Sequence, residues 1–260
     1  MPTEPVKRSF LISVLERTAD LVMFVAVFAR KCFSRPFEGR ELVRQMDEAG
    51  SKSLLLVMVT GLSIGVVLSM QSRATLARFG AESVLPSMIA LSVIKEIGPV
   101  LTSLVLAGRL GAGIAAEIGS MRVTEQIDAL EVAALKPFNY LVVTRVLACM
   151  VMFPVLTTCC DVVAILGGFL ESAVASGMHY KLFVDSAFES VRISDLVFST
   201  AKTSVFGFIV GIVGCSMGYN VRGGTRDVGQ NAMQAVVLSS LLILIVNVVL
   251  VRISLILLGG

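Results

Sequence analysis

From Ser53 to Ser72 the chain carries no charged side chain at all. At 1.5 Å per residue about 20 residues cross the ~30 Å hydrocarbon layer of a bilayer. With no water there to satisfy backbone N–H and C=O groups, such a run has to be a helix or part of a closed barrel. Four further runs follow: about Val84 to Ala116, interrupted by Lys95 and Glu96; Leu141 to Leu170, with Asp161 inside; Leu196 to Met217, with Lys202 inside; and Ala232 to Leu258, with Arg252 near its end. Together they take up most of the 260 residues and leave little for a water-soluble core. The composition agrees, with 55% hydrophobic and only 16% charged residues and a mean hydropathy of +0.87. The expected fold is an all-α polytopic membrane protein: an N-terminal interfacial helix followed by five transmembrane helices.

Phe10 to Phe28 is apolar but contains Glu16, Arg17 and Asp20, so its unbroken stretch, Leu21 to Ala29, is too short to cross. A helix lying in the interface fits this pattern, with a sixth span or a signal peptide as the rivals. A signal h-region is not expected to hold three charges and then run into Arg30 and Lys31. The chain thus divides into a cytoplasmic N-terminus, residues 1–52, with an interfacial helix, and a five-span domain, residues 53–260. Lys and Arg in short loops set the orientation. Residues 1–52 hold nine of them, and the loops on the same side add Arg122, Lys136, Arg145, Arg222 and Arg226. The opposite loops hold only Arg73, Arg78, Lys181 and Arg192. The N-terminus is expected in the cytoplasm and the C-terminus outside it.

Several function classes drop out. A formal charge of +3, with no basic stretch interleaved with aromatics, disfavours nucleic-acid binding. His179 is the only histidine and the five cysteines form no C-x-x-C pair, which argues against a zinc site. Gly111-Ala-Gly113-Ile-Ala-Ala116 matches G-x-G-x-x-A but lacks the βαβ setting that a dinucleotide needs. No G-x-x-x-x-G-K-[ST] sequence is present, so the chain is not expected to bind ATP by that route, and no nucleophile, base and orienter stand out.

Lys95 and Glu96 lie about ten residues into a hydrophobic span, where a charge costs on the order of 3 kcal/mol. They should face a bundle interior or a wet cavity. Pro99 has no N–H, so the carbonyl of Lys95 loses its helical partner and the helix should kink there. Lys202, at comparable depth, is a partner for Glu96. A transport path and a structural ion pair both fit this arrangement. Gly61 and Gly65, Gly207 and Gly211, and Gly214 and Gly218 are each four apart, which suits close helix packing within the chain or between subunits. After the second span, Thr124 is placed to cap a short helix from Glu125 to Leu135, ended by Pro137. It would carry an acidic stripe, Glu125, Asp128 and Glu131, and an apolar one, Ile127, Leu130 and Ala134.

The stretches Lys95-Glu-Ile-Gly-Pro99, Ala107-Gly-Arg109 and Ala116-Glu-Ile-Gly-Ser-Met-Arg-Val-Thr-Glu-Gln-Ile-Asp-Ala-Leu130 resemble the signature of MlaE/YrbE-type permeases, the membrane subunits of ABC lipid transporters that work with Mce-domain proteins. The resemblance implies a homodimer in the bacterial inner membrane, two cytoplasmic ATPase subunits that bind the ATP and Mg, and a ring of Mce proteins on the periplasmic side. It also implies phospholipid or a related hydrophobic molecule as cargo. No cofactor is expected on the chain itself. By the same resemblance, Glu117, Arg122, Glu125, Gln126, Asp128, Leu130 and Glu131 belong to the ATPase-coupling region near 124–135. Glu96 and Lys202 match intramembrane charges, and Leu68, Gln71, Leu76 and Phe79 match lipid-pocket positions. Arg73, Thr75 and Arg78 make this rim more basic and polar than the family pattern, and two of them, Arg73 and Arg78, are placed to meet a phosphate. Asn247 stands where the pattern has an acidic residue. The rivals are a secondary transporter using Lys95, Glu96 and Lys202 as an ion relay, for which no internal repeat is found, and a non-transporting membrane anchor.

Overall fold

The structure is a computed structural model that describes residues 10–32, 38–133 and 135–257. Its helices are α1 (Phe10–Cys32), α2 (Gly39–Arg78), α3 (Glu82–Val123), α4 (Gln126–Val132), α5 (Phe138–Ser176), α6 (Tyr180–Glu189), α7 (Ile193–Tyr219) and α8 (Thr225–Leu257). The described residues are mostly helical, and among them α2, α3, α5, α7 and α8 are the five helices long and apolar enough to cross a membrane. Ala134 and Leu258, expected in the loop helix and at the end of the last span, lie outside the described residues.

The helices run past the apolar stretches. At 1.5 Å per residue the 40 residues of α2 reach about 60 Å, twice the hydrocarbon thickness. Its first turns carry Glu41, Arg44, Asp47, Glu48 and Lys52, so one continuous helix passes from charged to apolar surroundings, and residue 52 falls inside it.

Glycines decide which helices touch. A Cβ on Gly61 would stand 2.6 Å from the Cys160 carbonyl, and Gly65 lies on Ala164, which seats α2 on α5. Gly207 and Gly211 bring α7 onto α5 at Cys149 and Val146, and Gly214 and Gly218 bring it onto α3 at Gly111 and Ala115. All three pairs are therefore used inside the chain, where a missing side chain lets backbones approach. Phe153, Leu156, Phe206 and Ile243 fill the main core between these helices. In contrast to α7, 56% of whose most apolar window is buried, α8 has only 11% covered.

The two ends differ. At one end, Phe24 of α1 meets Phe138 and Tyr219 at 5.2 and 6.3 Å between ring centroids, and Lys31 lies 4.7 Å over the Phe138 ring. The start of α5, the end of α7 and α1 thus gather with α4 at that end. At the other, α6 buries Phe183 against Phe169 and Ile89, and Ser87 donates to the Ser186 carbonyl at 2.7 Å.

Candidate functional site

Pro99 shapes the centre of α3. Between Val93 and Ile97 the helix widens into a π-turn, in which the Gly98 N–H donates to the carbonyl five residues back, at Val93. A widened turn of this kind accommodates a residue that cannot donate and is common at functional sites. The Lys95 carbonyl, freed by Pro99, accepts instead from Lys202 Nζ at 2.9 Å. The same ammonium meets Glu96 Oε1 at 3.0 Å, and Asn247 Nδ2 donates to Glu96 Oε2 at 3.3 Å. Where a second carboxylate would repel Glu96, the neutral amide donates to it. Lys95 pairs with Asp195 at 3.1 Å, and the same Asp195 accepts the Arg192 N–H at the start of α7. The π-turn of α3 is thus tied by polar contacts to α7 and α8.

Burial within this cluster is uneven. The Lys202 side chain is 2% exposed, whereas that of Glu96 is 43% exposed and faces a cleft of about 490 Å³. Lys95, Arg192 and Asp195 line the polar side of that cleft, and Val251 and Leu255 of α8 its apolar side. Lys202 is a buried connector, whereas Glu96 and Lys95 both border the cleft.

At the end bearing α1, α3 stops at Val123. Thr124 does not cap α4, because its hydroxyl donates back to Ser120 O at 2.8 Å. The reversal is made by Glu125, which sits in the left-handed region at φ 57°. Helix α4 is shorter than its pattern suggests, since it ends at Val132, and Pro137 is followed by the first turn of α5. Its apolar side is anchored by Ile127, which is fully buried, and by Leu130, half-buried against the core. Glu125, Gln126, Asp128 and Glu131 are exposed, and Arg122 pairs with Asp128 at 2.7 Å. Glu117 is half-exposed and pairs with Arg145, which is buried and also donates to the Leu141 carbonyl.

At the opposite end, Gln71 and Phe79 face outward while Leu68 and Leu76 pack against the Ile89 and Phe183 cluster. Arg73 is not a free cation at this rim. Its Nε lies 3.3 Å from Glu171 Oε1, and Glu171 also accepts the Ser69 hydroxyl at 2.5 Å, which ties α2 to α5. Arg78 is exposed. Among the described residues, none of Leu68, Gln71, Leu76 and Phe79 lines the cleft beside Glu96.

The family described as Permease MlaE matches residues 42–253. That stretch covers all but the extremities of the chain. The chain belongs to the MlaE permease family. The probable ABC transporter permease protein RT0041 of Rickettsia typhi is 40% identical over 206 residues, covering 79% of this chain and 80% of its own. A probable ABC transporter permease protein, slr1045, of Synechocystis is 38% identical over 208 residues, 80% of this chain and 79% of its own. Protein TRIGALACTOSYLDIACYLGLYCEROL 1, chloroplastic, of Arabidopsis thaliana is 35% identical over 211 residues, 81% of this chain and 60% of its own. The MlaE-family chain is accordingly a multi-pass membrane permease of the ABC type, a transport subunit whose nucleotide chemistry resides on a separate ATPase.

Of the residues singled out in the sequence, this permease brings Lys95, Glu96 and Lys202 into one cluster and gathers Arg122, Glu125, Gln126, Asp128, Leu130 and Glu131 around α4, with Glu117 one step along α3. The four pocket positions are split between an outward face and a packed one. Sequence reasoning missed Asp195, Glu171 and the pairing of Glu117 with Arg145. Asp195 had a signal, since an acidic residue in the first turn of a helix favours the N-terminus. Glu171 had a weaker one, an acidic residue at the end of an apolar run.

Proposed function

We propose that this permease is the membrane subunit of an ATP-driven lipid transporter. Two copies enclose an apolar cavity and move phospholipid or a related hydrophobic cargo between the inner and outer membranes of a bacterium. Two cytoplasmic ATPases, which bind ATP and Mg, drive the cycle, and a ring of Mce-domain proteins receives or delivers cargo on the periplasmic side. The observation that carries this reading is Glu96: a carboxylate held by a buried lysine on a widened turn, facing a cleft whose other wall is apolar. An amphiphile needs such a mixed surface, with polar contacts for a headgroup and apolar wall for acyl chains. The name of the Arabidopsis relative contains that of a glycerolipid, which favours the same class of cargo. The uncovered surface of α8 suits a second copy. In this reading Gln71 and Phe79 face the shared cavity with Leu68 and Leu76 packed behind them, and the acidic side of α4, with Glu117 and Arg122 behind it, docks on the ATPase.

The native complex is the test. Purified from its own membrane, the permease is expected to bring down an ATPase in equal amount, an Mce-domain protein and glycerophospholipid detectable by mass spectrometry. A preparation with no ATPase and no lipid would refute the assignment.

Orientation has its own check. With the native cysteines replaced, single cysteines at Lys181 and Arg226 should be labelled by an impermeant thiol reagent from opposite faces, Arg226 from the face shared with the N-terminus. Labelling of both from one face would overturn the arrangement with N-terminus cytoplasmic and C-terminus periplasmic.

A further inference from the structure

Toward the end of the bundle that bears α1 and α4, a cleft of about 230 Å³ opens between α2, α3 and α5. Arg109 lines it from a second π-turn of α3, Ala107–Gly111, a kind of turn common at functional sites. Its guanidinium reaches across to α2 and donates to the Ser53 hydroxyl. Lys95, Lys202, Arg73 and Arg145 each hold a carboxylate, whereas among the described residues Arg109 has only that neutral oxygen. Its unused nitrogens are accessible. Nε of Arg73 and of Arg145 is sealed without a partner, but no nitrogen of the half-buried Arg109 is.

Ser53 marks a depth. It is the first residue of the uncharged run that reaches to Ser72, and Lys52 before it is the last charge on the way in. A guanidinium bonded to Ser53 therefore lies at the boundary of the hydrocarbon layer, next to the level of the lipid headgroups. Charge along the cleft does not cancel. Lys52, Arg109 and Arg145 line it with Glu48 and Glu117, three cations against two carboxylates, which leaves one positive charge in surplus. Both carboxylates are engaged, Glu48 by Lys52 and Glu117 by Arg145. Leu110 and Ile114 add apolar wall, and Gly113, on the same lining, has open space where its side chain would be, with nothing within 4 Å of an added Cβ.

We propose that this cleft binds the phosphate of an anionic membrane phospholipid, with Arg109 as the group that holds it. A guanidinium with N–H groups to spare suits the paired oxygens of a phosphate, and basic pockets between membrane helices are where acidic headgroups bind. Charge balance selects the lipid class. A headgroup with one net negative charge offsets the surplus, whereas the ammonium of a zwitterionic headgroup would find both carboxylates taken. The openness of the cleft is what a headgroup entering from the bilayer requires. It shares no lining residue with the cleft beside Glu96, and the site stands whether the lipid held there is cargo or a fixed neighbour of the permease.

The test uses the full chain in a neutral maltoside detergent, titrated with dioleoylphosphatidylglycerol, dioleoylphosphatidylcholine or inorganic phosphate. Thermal unfolding and native mass spectrometry of retained lipid are the readouts. Phosphatidylglycerol is expected to raise the unfolding midpoint by about 3 °C or more over the same mole fraction of phosphatidylcholine. Arg109→Gln should weaken phosphatidylglycerol binding about tenfold and leave phosphatidylcholine binding unchanged. Gly113→Leu, which fills the cleft and keeps Arg109, should have the same effect and carries the test should Arg109→Gln fail to fold. Equal midpoints with the two lipids, a preference for phosphatidylglycerol that survives in either variant, or an equal rise with inorganic phosphate alone would overturn the proposal. None of these readouts depends on transport, so their failure is distinct from a failure of the cargo reading.

Discussion

Lys202→Met is expected to lower the stability of the permease by about 1–3 kcal/mol, while Glu96→Gln leaves it folded and abolishes transport. The asymmetry follows from burial. Lys202 is 2% exposed, and it satisfies both the carbonyl that Pro99 orphans and the Glu96 carboxylate. Met fills the same space with no donor, leaving an unsatisfied carbonyl in the core of the bundle. At 43% exposure Glu96 borders the cleft, where water reaches it. In Glu96→Gln the single amide oxygen still accepts from Lys202, which keeps the Lys95 carbonyl, and of the hydrogen bonds only that from Asn247 is lost. What is lost is a negative charge in the cleft, at the place where the helix is most easily rearranged. The measurement is thermal midpoint and lipid transfer for Glu96→Gln, Lys202→Met and the double variant, reconstituted with partner subunits. A strongly destabilised Glu96→Gln, together with a double variant that recovers both stability and transport, would make the pair a structural clamp and nothing more.

Reversing Glu125 and Asp128 to lysine should cut ATP-driven transport at least about tenfold while leaving the thermal midpoint of the isolated permease within about 1 °C, because exposed charges contribute little to folding. Among the described residues the ion pair broken is that of Arg122 with Asp128, with 39% and 55% of the side chains exposed. Ile127→Ala gives the contrasting result. Ile127 is fully buried and holds α4 to the end of the bundle, so its truncation should cost about 2–5 kcal/mol and release the helix along with its acidic face. ATPase stimulation in the assembled complex reads both effects. Normal coupling in the double reversal would remove α4 from the ATPase interface.

How much of this was legible beforehand varies with the kind of constraint. The five spans were readable because a bilayer demands about 20 apolar residues per crossing, a condition that each segment meets or fails by itself. The anchoring of α4 was readable at Ile127 and Leu130, since helical spacing puts them on one side. Its start was not, because the Thr124 hydroxyl goes to the Ser120 carbonyl instead of capping and the left-handed turn at Glu125 was chosen by the fold. The meeting of Glu96 with Lys202 could be anticipated, as two opposite charges at similar depth in apolar helices have few other partners.

That Lys202 also reaches the carbonyl freed by Pro99, that Lys95 turns to Asp195 and that Arg73 is neutralised by Glu171 were decided by tertiary structure alone. Each contact joins residues about a hundred positions apart, and each depends on how far the helices are rotated about their own axes. Hydrophobicity sets depth in the bilayer but is indifferent to rotation when every face is apolar. The rotation is set where Gly61, Gly65, Gly207, Gly211, Gly214 and Gly218 admit the neighbouring backbone, and only the packed bundle fixes which polar group then faces which.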